Sequence, residues 1–159
     1  MQWSKITDII LISSFAILAV FAILGLCQWI KRRSLAKVDK PLLWMVLPLS
    51  LMAATYFIFD KILIWNTRPN GSGEPSFPST HTMVVATIFF CVAIILPRYI
   101  KSRAIRLVIN SLMLLLLIMV CIGRVAANMH WVSDVIGGLI FAIIFAGIYY
   151  LIIRRYKNA

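Results

Sequence analysis

Residues 78–96 read PSTHTMVVATIFFCVAIIL, a short polar segment followed directly by an apolar run. Polar side chains at the start of a membrane helix are costly and are kept there mostly for function. A helix that begins at Ser79 would also direct its free backbone N–H groups at the preceding loop, which makes an anion site. The simpler alternative is that Ser79 caps the helix and His81 is a polar residue at the membrane surface.

Four further apolar runs surround this one. The chain of 159 residues is 62% hydrophobic with a mean hydropathy of +0.96, a composition that excludes an ordinary soluble globular domain. Each run approaches the roughly 20 residues that a helix needs to cross a bilayer. The five runs are Ile9–Ile30, Leu42–Ile64, Ser79–Leu96, Ile105–Ile122 and Val132–Ile153. We therefore expect an all-α fold, a single integral membrane domain over residues 1–159 with about five transmembrane helices.

The basic residues predict how this bundle is oriented. The loops after the first and third helices and the C-terminus, which share one side, hold twelve of the 16 Lys and Arg residues, and the other side holds Lys5, Lys61, Arg68 and Arg124. Because cytoplasmic loops carry an excess of Lys and Arg, the C-terminus is expected inside the cytoplasm and the N-terminus outside. Lys31-Arg32-Arg33 follows the long first run, which therefore predicts a retained helix rather than a cleaved signal peptide. We expect the protein in the plasma or inner membrane.

Two other classes of partner are not indicated by the composition. The net charge of +11 follows mostly from the membrane topology, with no basic run interleaved with aromatics outside the membrane, so nucleic acid is not an expected partner. Cys27, Cys91 and Cys121 lie singly in apolar runs and are expected to be reduced thiols that pack as small hydrophobic side chains. We expect no metal and no cofactor.

The end of the second run carries two cations. Lys61 and Arg68 are seven residues apart, which would return them to nearly the same face of a continuing helix, although Pro69 favours an end of the helix just before Arg68. Both are expected at the outer surface, either as ligands for an anion or as ordinary residues whose long side chains reach the membrane surface. The turn-rich loop that follows contains Glu74, which we expect to lie in water.

A third polar cluster lies between the last two runs. His130 and Asp134 are four residues apart at the start of the last helix, a spacing that places them on one face. A carboxylate that accepts the Nδ1–H of an imidazole fixes its tautomer and leaves Nε2 free as a nucleophile or base. Arg124 precedes this pair and can bind a phosphate through two N–H groups. The alternative is an Asp that stabilises the helix start beside an incidental histidine.

The predicted topology places all three clusters on the extracytoplasmic face. Three cations, two histidines and one orienting carboxylate on the same face predict a phosphate-transfer site that needs no metal.

These clusters resemble the three-part signature of the type 2 phosphatidic acid phosphatase superfamily. The matching segments are Lys61-(six residues)-Arg68-Pro69, Pro78-Ser79-Thr80-His81 and Arg124-(five residues)-His130-(three residues)-Asp134. The superfamily usually has glycine at the position of Thr80 and serine at that of Gly123. Its membrane enzymes commonly have six helices, so the first is expected to be missing here.

The resemblance implies a role for each residue. His130 would attack phosphorus and form a phosphohistidine, Asp134 would orient His130, and His81 would act as the general acid and then the general base. The phosphate-binding residues would be Lys61, Arg68, Ser79, Thr80 and Arg124.

The substrate implied is a membrane lipid phosphate in the bilayer around the protein. Undecaprenyl diphosphate, converted to undecaprenyl phosphate, is the first expectation, and phosphatidate or phosphatidylglycerol phosphate is the alternative. A protein that binds or translocates lipids through a degenerate phosphatase site is the alternative from another class, because Thr80 departs from the signature.

Overall fold

The computed structural model describes residues 2–63 and 65–156. Six α-helices follow one another: α1 (Gln2–Arg32), α2 (Lys40–Trp44), α3 (Val46–Phe57), α4 (Thr80–Tyr99), α5 (Arg103–Ala126) and α6 (Val132–Arg155). A 3-10 turn at Leu35–Lys37 precedes α2, and a π-helical turn at Ile58–Ile62 extends α3.

The predicted all-α membrane bundle is confirmed. Five helical segments are long and apolar enough to cross a membrane: Gln2–Arg32, Lys40–Ile62, Thr80–Tyr99, Arg103–Ala126 and Val132–Arg155. Large apolar side chains such as Leu107, Val108 and Ile143 are exposed on the outer surface of the helices, as expected where lipid rather than water surrounds a protein.

Two spans differ from the prediction by more than a shift of a few residues at their ends. The first helix begins at Gln2 rather than Ile9 and so includes Asp8, whose charge is compensated by partners on α4 and α5. The second span is not one continuous helix, because α2 and α3 meet at a turn at Met45 and a π-helical turn follows Phe57. Its predicted end, Ile64, lies outside the described residues.

Helix α4 is the centre of the bundle. In its apolar stretch 67% of the residues are buried, against 33% in α6 and 17% in each of the other three spans. The preceding residue Ser79 is the N-cap rather than the first helical residue that we expected. Because α4 contacts α1, α3, α5 and α6, its first turn is the point around which the other helix ends assemble.

Two glycines allow α6 to approach the start of α4 closely. A Cβ at Gly137 would overlap the ring of Phe77, and one at Gly138 would lie 2.9 Å from the Ser79 carbonyl oxygen. Only a residue without a side chain fits at this spacing. The start of α6 therefore lies against the loop that enters α4, and the backbone N–H of Ser79 donates to the carbonyl oxygen of Asp134 at 2.9 Å.

The opposite end of the bundle has its own polar cluster. The carboxylate of Asp39 accepts hydrogen bonds from Gln28 of α1 and from Arg98 and Tyr99 of α4, and Arg32 lies 3.6 Å away. The two ends are separated by the apolar core of α4, so the charged residues among those described fall into two groups.

Candidate active site

The three clusters expected from the sequence lie at one end of the bundle. This end is formed by the first two turns of α1, the loop from the π-helical turn to α4, the start of α4, the end of α5 and the start of α6. The connection from α5 to α6 is short and makes a turn in which Asn128 has φ 57°. There the backbone N–H groups of Met129 and His130 both donate to the carbonyl oxygen of Arg124.

The imidazole of His130 is buried and held by Ser76. Its Nδ1 lies 2.9 Å from the Ser76 carbonyl oxygen, so Nδ1 carries the proton and donates it there. The carboxylate of Asp134 is 3.7 Å from Nδ1, too far for a hydrogen bond, and the expected direct pair is not formed. Instead Ser76 Oγ donates to Asp134 Oδ2 and lies 3.4 Å from Nδ1. The residue pair is thus joined through Ser76.

The environment of His130 keeps its ring neutral. Burial of the ring, together with the nearby cation of Arg124, lowers the pKa of His130 from 6.5 to about 3, although the hydrogen bond to Ser76 acts in the other direction. With the proton on Nδ1, the lone pair of a neutral ring is on Nε2. This is the protonation state that a nucleophilic imidazole requires.

Asp134 also organises the first turn of α6. Its Oδ2 accepts the backbone N–H of Trp131 at 2.8 Å, the usual function of a carboxylate at the start of a helix. Its Oδ1 is buried and has no hydrogen-bond partner among the described residues. This oxygen belongs to a carboxylate that lies beside the ring of His130. It would stabilise positive charge that develops on the ring.

Arg124 and His81 meet a carboxylate that the sequence analysis did not identify. Asp8 Oδ1 of α1 lies 2.8 Å from His81 Nε2 and 3.8 Å from Arg124 Nη1. Arg124 is 3% exposed, and its Nη1 also lies 3.4 Å from the hydroxyl of Thr7. Its Nε is buried without a hydrogen-bond partner among residues 2–63 and 65–156, which leaves one donor of the guanidinium unused.

Arg68 reaches the same site from the loop between α3 and α4. The loop is closed by an antiparallel bridge between Thr67 and Pro75, and the backbone N–H of Ser76 donates to Asn66. Glu74 is exposed, as expected, and its carboxylate also forms an ion pair with Arg68 at 2.7 Å. The Nε of Arg68 is also buried and has no partner in the described part of the chain.

Two predicted phosphate ligands point elsewhere. The ammonium group of Lys61 pairs with Asp60 at 2.7 Å, and its side chain is 64% exposed. Thr80 lines a cavity of about 10 Å³ with Phe59 and Asp60, on the α3 side of the first turn of α4. Ser79 is fully buried, and its hydroxyl lies 3.1 Å from that of Thr82. The structure therefore brings together His81, Arg124, His130, Asp134 and Arg68, with Ser79 directly beside Asp134.

Sequence reasoning missed Ser76 and Asp8. Ser76 is adjacent to no motif, but its position two residues before Pro78, at the end of a tight loop, could have pointed to a backbone contact. Asp8 had a clearer signal, since a carboxylate at the start of a membrane helix is costly without a partner. In the described ranges, no three His, Cys, Asp or Glu side chains form a cluster that could hold a metal ion.

Comparison with known proteins gives two positive results. A family model described as the PAP2 superfamily matches residues 55–157. The fold is similar to the crystal structure of the first transmembrane PAP2 type phosphatidylglycerolphosphate phosphatase from Bacillus subtilis, with a TM-score of 0.67 and 20% sequence identity. That match covers 98% of this chain and 75% of the other. No curated protein matched the chain.

Proposed function

We propose that this chain, which belongs to the PAP2 superfamily, is a membrane lipid phosphatase that removes a terminal phosphate through a phosphohistidine. His130 is the proposed nucleophile, Asp134 its orienting partner and His81 the general acid and base. Arg68, Arg124 and Ser79 are proposed to bind the phosphate, with Lys61 and Thr80 joining only after local rearrangement.

The observation that carries this proposal is a buried, neutral imidazole between guanidinium groups with unused donors. The Nε atoms of Arg68 and Arg124 are buried and unpaired within the described residues, a costly state that an anion would relieve. The neutral His130 ring presents the lone pair of Nε2. An anion binder alone has no need of an uncharged imidazole held in one tautomer.

The proposed reaction has two balanced steps. In the first, Nε2 of His130 forms a bond to phosphorus, the bond from phosphorus to the leaving oxygen breaks, and His81 donates a proton to that oxygen. In the second, a water oxygen attacks phosphorus, His81 takes the water proton, and the bond from phosphorus to Nε2 breaks. Donors that bind the transferring group in its transition state each contribute about 2.7–4 kcal/mol in comparable sites.

The substrate is proposed to be a lipid with a terminal phosphate, since the site lies at the end of a bundle of lipid-exposed helices. Undecaprenyl diphosphate is the first substrate that we propose. Phosphatidylglycerol phosphate is the second, favoured by the charges, because Lys61, Arg68 and Arg124 each already have a carboxylate nearby and offer little for the directly linked second phosphate of a diphosphate. We propose a site outside the cytoplasm, on the basis of the charge bias of the loops.

The test is phosphate release by the full-length protein in detergent with a chelator present. Undecaprenyl diphosphate, phosphatidylglycerol phosphate and phosphatidate are compared, with His130→Ala as the inactive variant and Ser13→Ala as the matched control. Ser13 is exposed on α1, and among the described residues its hydroxyl bonds only to its own helix, at the carbonyl oxygen of Ile9. Rapid quenching with ³²P-labelled substrate should trap an acid-labile, alkali-stable phosphoenzyme in the control protein and none in His130→Ala.

Each outcome decides a separate part of the proposal. The ratio of rates selects the lipid. Release without a trapped phosphohistidine at any quench time, and with His130→Ala still active, contradicts the mechanism. A folded protein that releases phosphate from none of the three lipids contradicts the phosphatase function and favours lipid binding or translocation.

A further inference from the structure

Asp8 touches the proposed general acid but has no part in the reaction described above. It is the one acidic residue of α1, in a helix that is otherwise apolar along most of its length. Its Oδ1 lies 2.8 Å from Nε2 of His81, the one hydrogen bond of that ring in the described part of the chain. A carboxylate in a membrane helix costs free energy unless a partner offsets it, so this contact accounts for its presence.

The position of Asp8 is set by close packing of α1 against α5. A Cβ at Gly123 would lie 2.7 Å from Cγ2 of Thr7 and 3.3 Å from the ring of Trp3. Thr7 is fully buried, its hydroxyl donates to the Ser4 carbonyl at 2.8 Å, and Arg124 lies 3.4 Å from that hydroxyl. Thr7, the residue before Asp8, therefore packs against α5, and this contact fixes the position of Asp8. This packing also gives a physical reason for glycine rather than serine at position 123.

The charges around the His81 ring single out Asp8. The groups that face it are Asp8 from α1, Arg124 from α5, Arg68 from the loop before α4, and His130. Three of these are cationic or can become so, and Asp8 is the only acid among them. Asp8 is thus the one carboxylate among these neighbours, and its Oδ1 is within hydrogen-bond distance of Nε2 of His81.

We propose that Asp8 is a positioning residue for His81. It accepts the Nε2–H of the ring, which fixes that tautomer and leaves Nδ1 as the nitrogen that exchanges protons. In the first step the ring starts as the imidazolium, and its Nδ1 proton passes to the leaving oxygen as the bond from phosphorus to that oxygen breaks. In the second step the Nδ1 lone pair takes the proton of the attacking water, which restores the imidazolium. The other proton stays on Nε2, hydrogen-bonded to Asp8, throughout. This inference rests on the proposed phosphatase function.

The test compares leaving groups in Asp8→Asn, which keeps the shape of the side chain and removes its charge. One substrate is an alkyl phosphate lipid, whose alkoxide needs a proton to leave. The other is a 4-nitrophenyl phosphate with a dodecyl chain, whose phenolate leaves without one. General acid catalysis contributes about 10²–10⁴-fold, so we expect kcat for the alkyl phosphate to fall roughly 10- to 100-fold. We expect kcat for the aryl phosphate to fall less than about threefold and KM to change little for either.

Three comparisons separate positioning from structural damage. Asp8→Glu, which retains the carboxylate, should recover part of the lost kcat, and Ser13→Ala on the same helix should behave as the unmodified protein. In a His81→Ala background, Asp8→Asn should have no further effect on alkyl phosphate hydrolysis, since both changes remove the same proton transfer. This last comparison needs only one substrate.

Two results would show that Asp8 does not position His81. One is an equal loss of kcat for both leaving groups in Asp8→Asn. The other is a further loss of kcat when Asp8→Asn is added to His81→Ala. A lower KM with an unchanged kcat would also overturn the inference, because Asp8 would then be a competitor of the phosphate for Arg124 and His81. In all these outcomes the unmodified protein still releases phosphate, whereas failure of the proposed function is seen as no release by that protein.

Discussion

Ser76 is the residue that joins the proposed nucleophile to its carboxylate partner. Its carbonyl accepts the Nδ1–H of His130, and its hydroxyl donates to Asp134. Ser76→Ala removes the hydroxyl and leaves Asp134 Oδ2 with the Trp131 N–H alone. A hydrogen bond to a charged group contributes about 1.5–3 kcal/mol, so we expect kcat/KM to fall roughly 10- to 100-fold. Phosphate release by the purified variant is the measurement.

A second serine of the same loop provides the control. Ser72 is exposed, and its hydroxyl only accepts the backbone N–H of Glu74 at 3.4 Å. Ser72→Ala should retain the activity of the unmodified protein. Full activity in Ser76→Ala would mean that Asp134 orients His130 without this bridge.

The buried His130 ring also predicts how stability changes with pH. Burial, followed by the Arg124 cation, lowers the pKa of His130 to about 3, while the unfolded chain has the ordinary value of 6.5. Between these values the unfolded state binds more protons, so acidification destabilises the folded protein. We expect the Tm in detergent to fall as pH decreases below 6.5, with a shallower fall in His130→Asn. Parallel curves for the two proteins would contradict a neutral buried ring.

The spacing of these residues predicted which ones are close, but not which atoms bond. A separation of four residues suggested that His130 and Asp134 are close, and His130 Nδ1 is 3.7 Å from Asp134 Oδ2, although His130 precedes the helix, which begins at Val132. The acceptor of the Nδ1–H comes from Ser76, 54 residues away along the chain. Such a contact depends on how the loop before α4 folds over α6, which has no periodic signal in the sequence.

At the scale of helices, close contact between α4 and α6 positions the site. Gly138→Ala would bring a Cβ to 2.9 Å from the Ser79 carbonyl oxygen, and the two backbones would have to separate. The hydrogen bond from Ser79 N–H to the Asp134 carbonyl would then lengthen or break. We expect a lower Tm and at least a tenfold loss of activity, since small displacements of catalytic groups strongly reduce rates.

Gly147 is the matched control on the same helix. A Cβ there meets nothing within 4 Å. Gly147→Ala should leave activity unchanged and raise stability slightly, because alanine is the better helix former by about 0.5–1 kcal/mol. Comparable damage in both variants would show that any added methyl on α6 is harmful and that the α4 contact is not special.

Helix bounds were predicted well where apolar residues determine them, and poorly where they depend on contacts between polar side chains. The apolar runs predicted all five membrane spans, because a bilayer requires about 20 apolar residues whatever the tertiary contacts are. The start of α1 was placed too late, since the uninterrupted apolar run begins only at Ile9, after Asp8. Inside the fold Asp8 has His81 and Arg124 as partners, so the helix continues through it. The interruption at Met45 had no recognised signal in the sequence.

For the whole molecule, the acidic residues show how the charges are distributed. All five lie in the described ranges, and each has a cationic or histidine partner within 4 Å. Four of them, Asp8, Asp60, Glu74 and Asp134, are at the end that holds the proposed site, and Asp39 is at the other end. Each acid is therefore compensated locally, and the net charge of +11 is the excess of basic residues that remains.

Because the two polar ends are separate, Asp39→Asn is expected to lower stability and Asp8→Asn to lower activity. Asp39 joins α1 to α4 through Gln28, Arg98 and Tyr99. Burial alone would raise the pKa of Asp39, but these hydrogen bonds hold it below its ordinary value of 3.8, so its stabilising contribution is present at neutral pH and is lost as pH falls below that value. We expect Asp39→Asn to lower the Tm at pH 7 by a few degrees, for a loss of about 1–3 kcal/mol.

The two variants should differ in the opposite way in activity: Asp8→Asn should be slow and Asp39→Asn should not. At a temperature where both variants remain folded, Asp39→Asn should hydrolyse the alkyl phosphate lipid at the rate of the unmodified protein, whereas Asp8→Asn should be slow with a nearly unchanged Tm. Thermal unfolding in detergent and phosphate release, measured on the same preparations, check both statements. If folded Asp39→Asn is as slow as Asp8→Asn, the ends of the bundle are coupled through α1 and α4, and the position of Asp8 depends on contacts made a full helix length away.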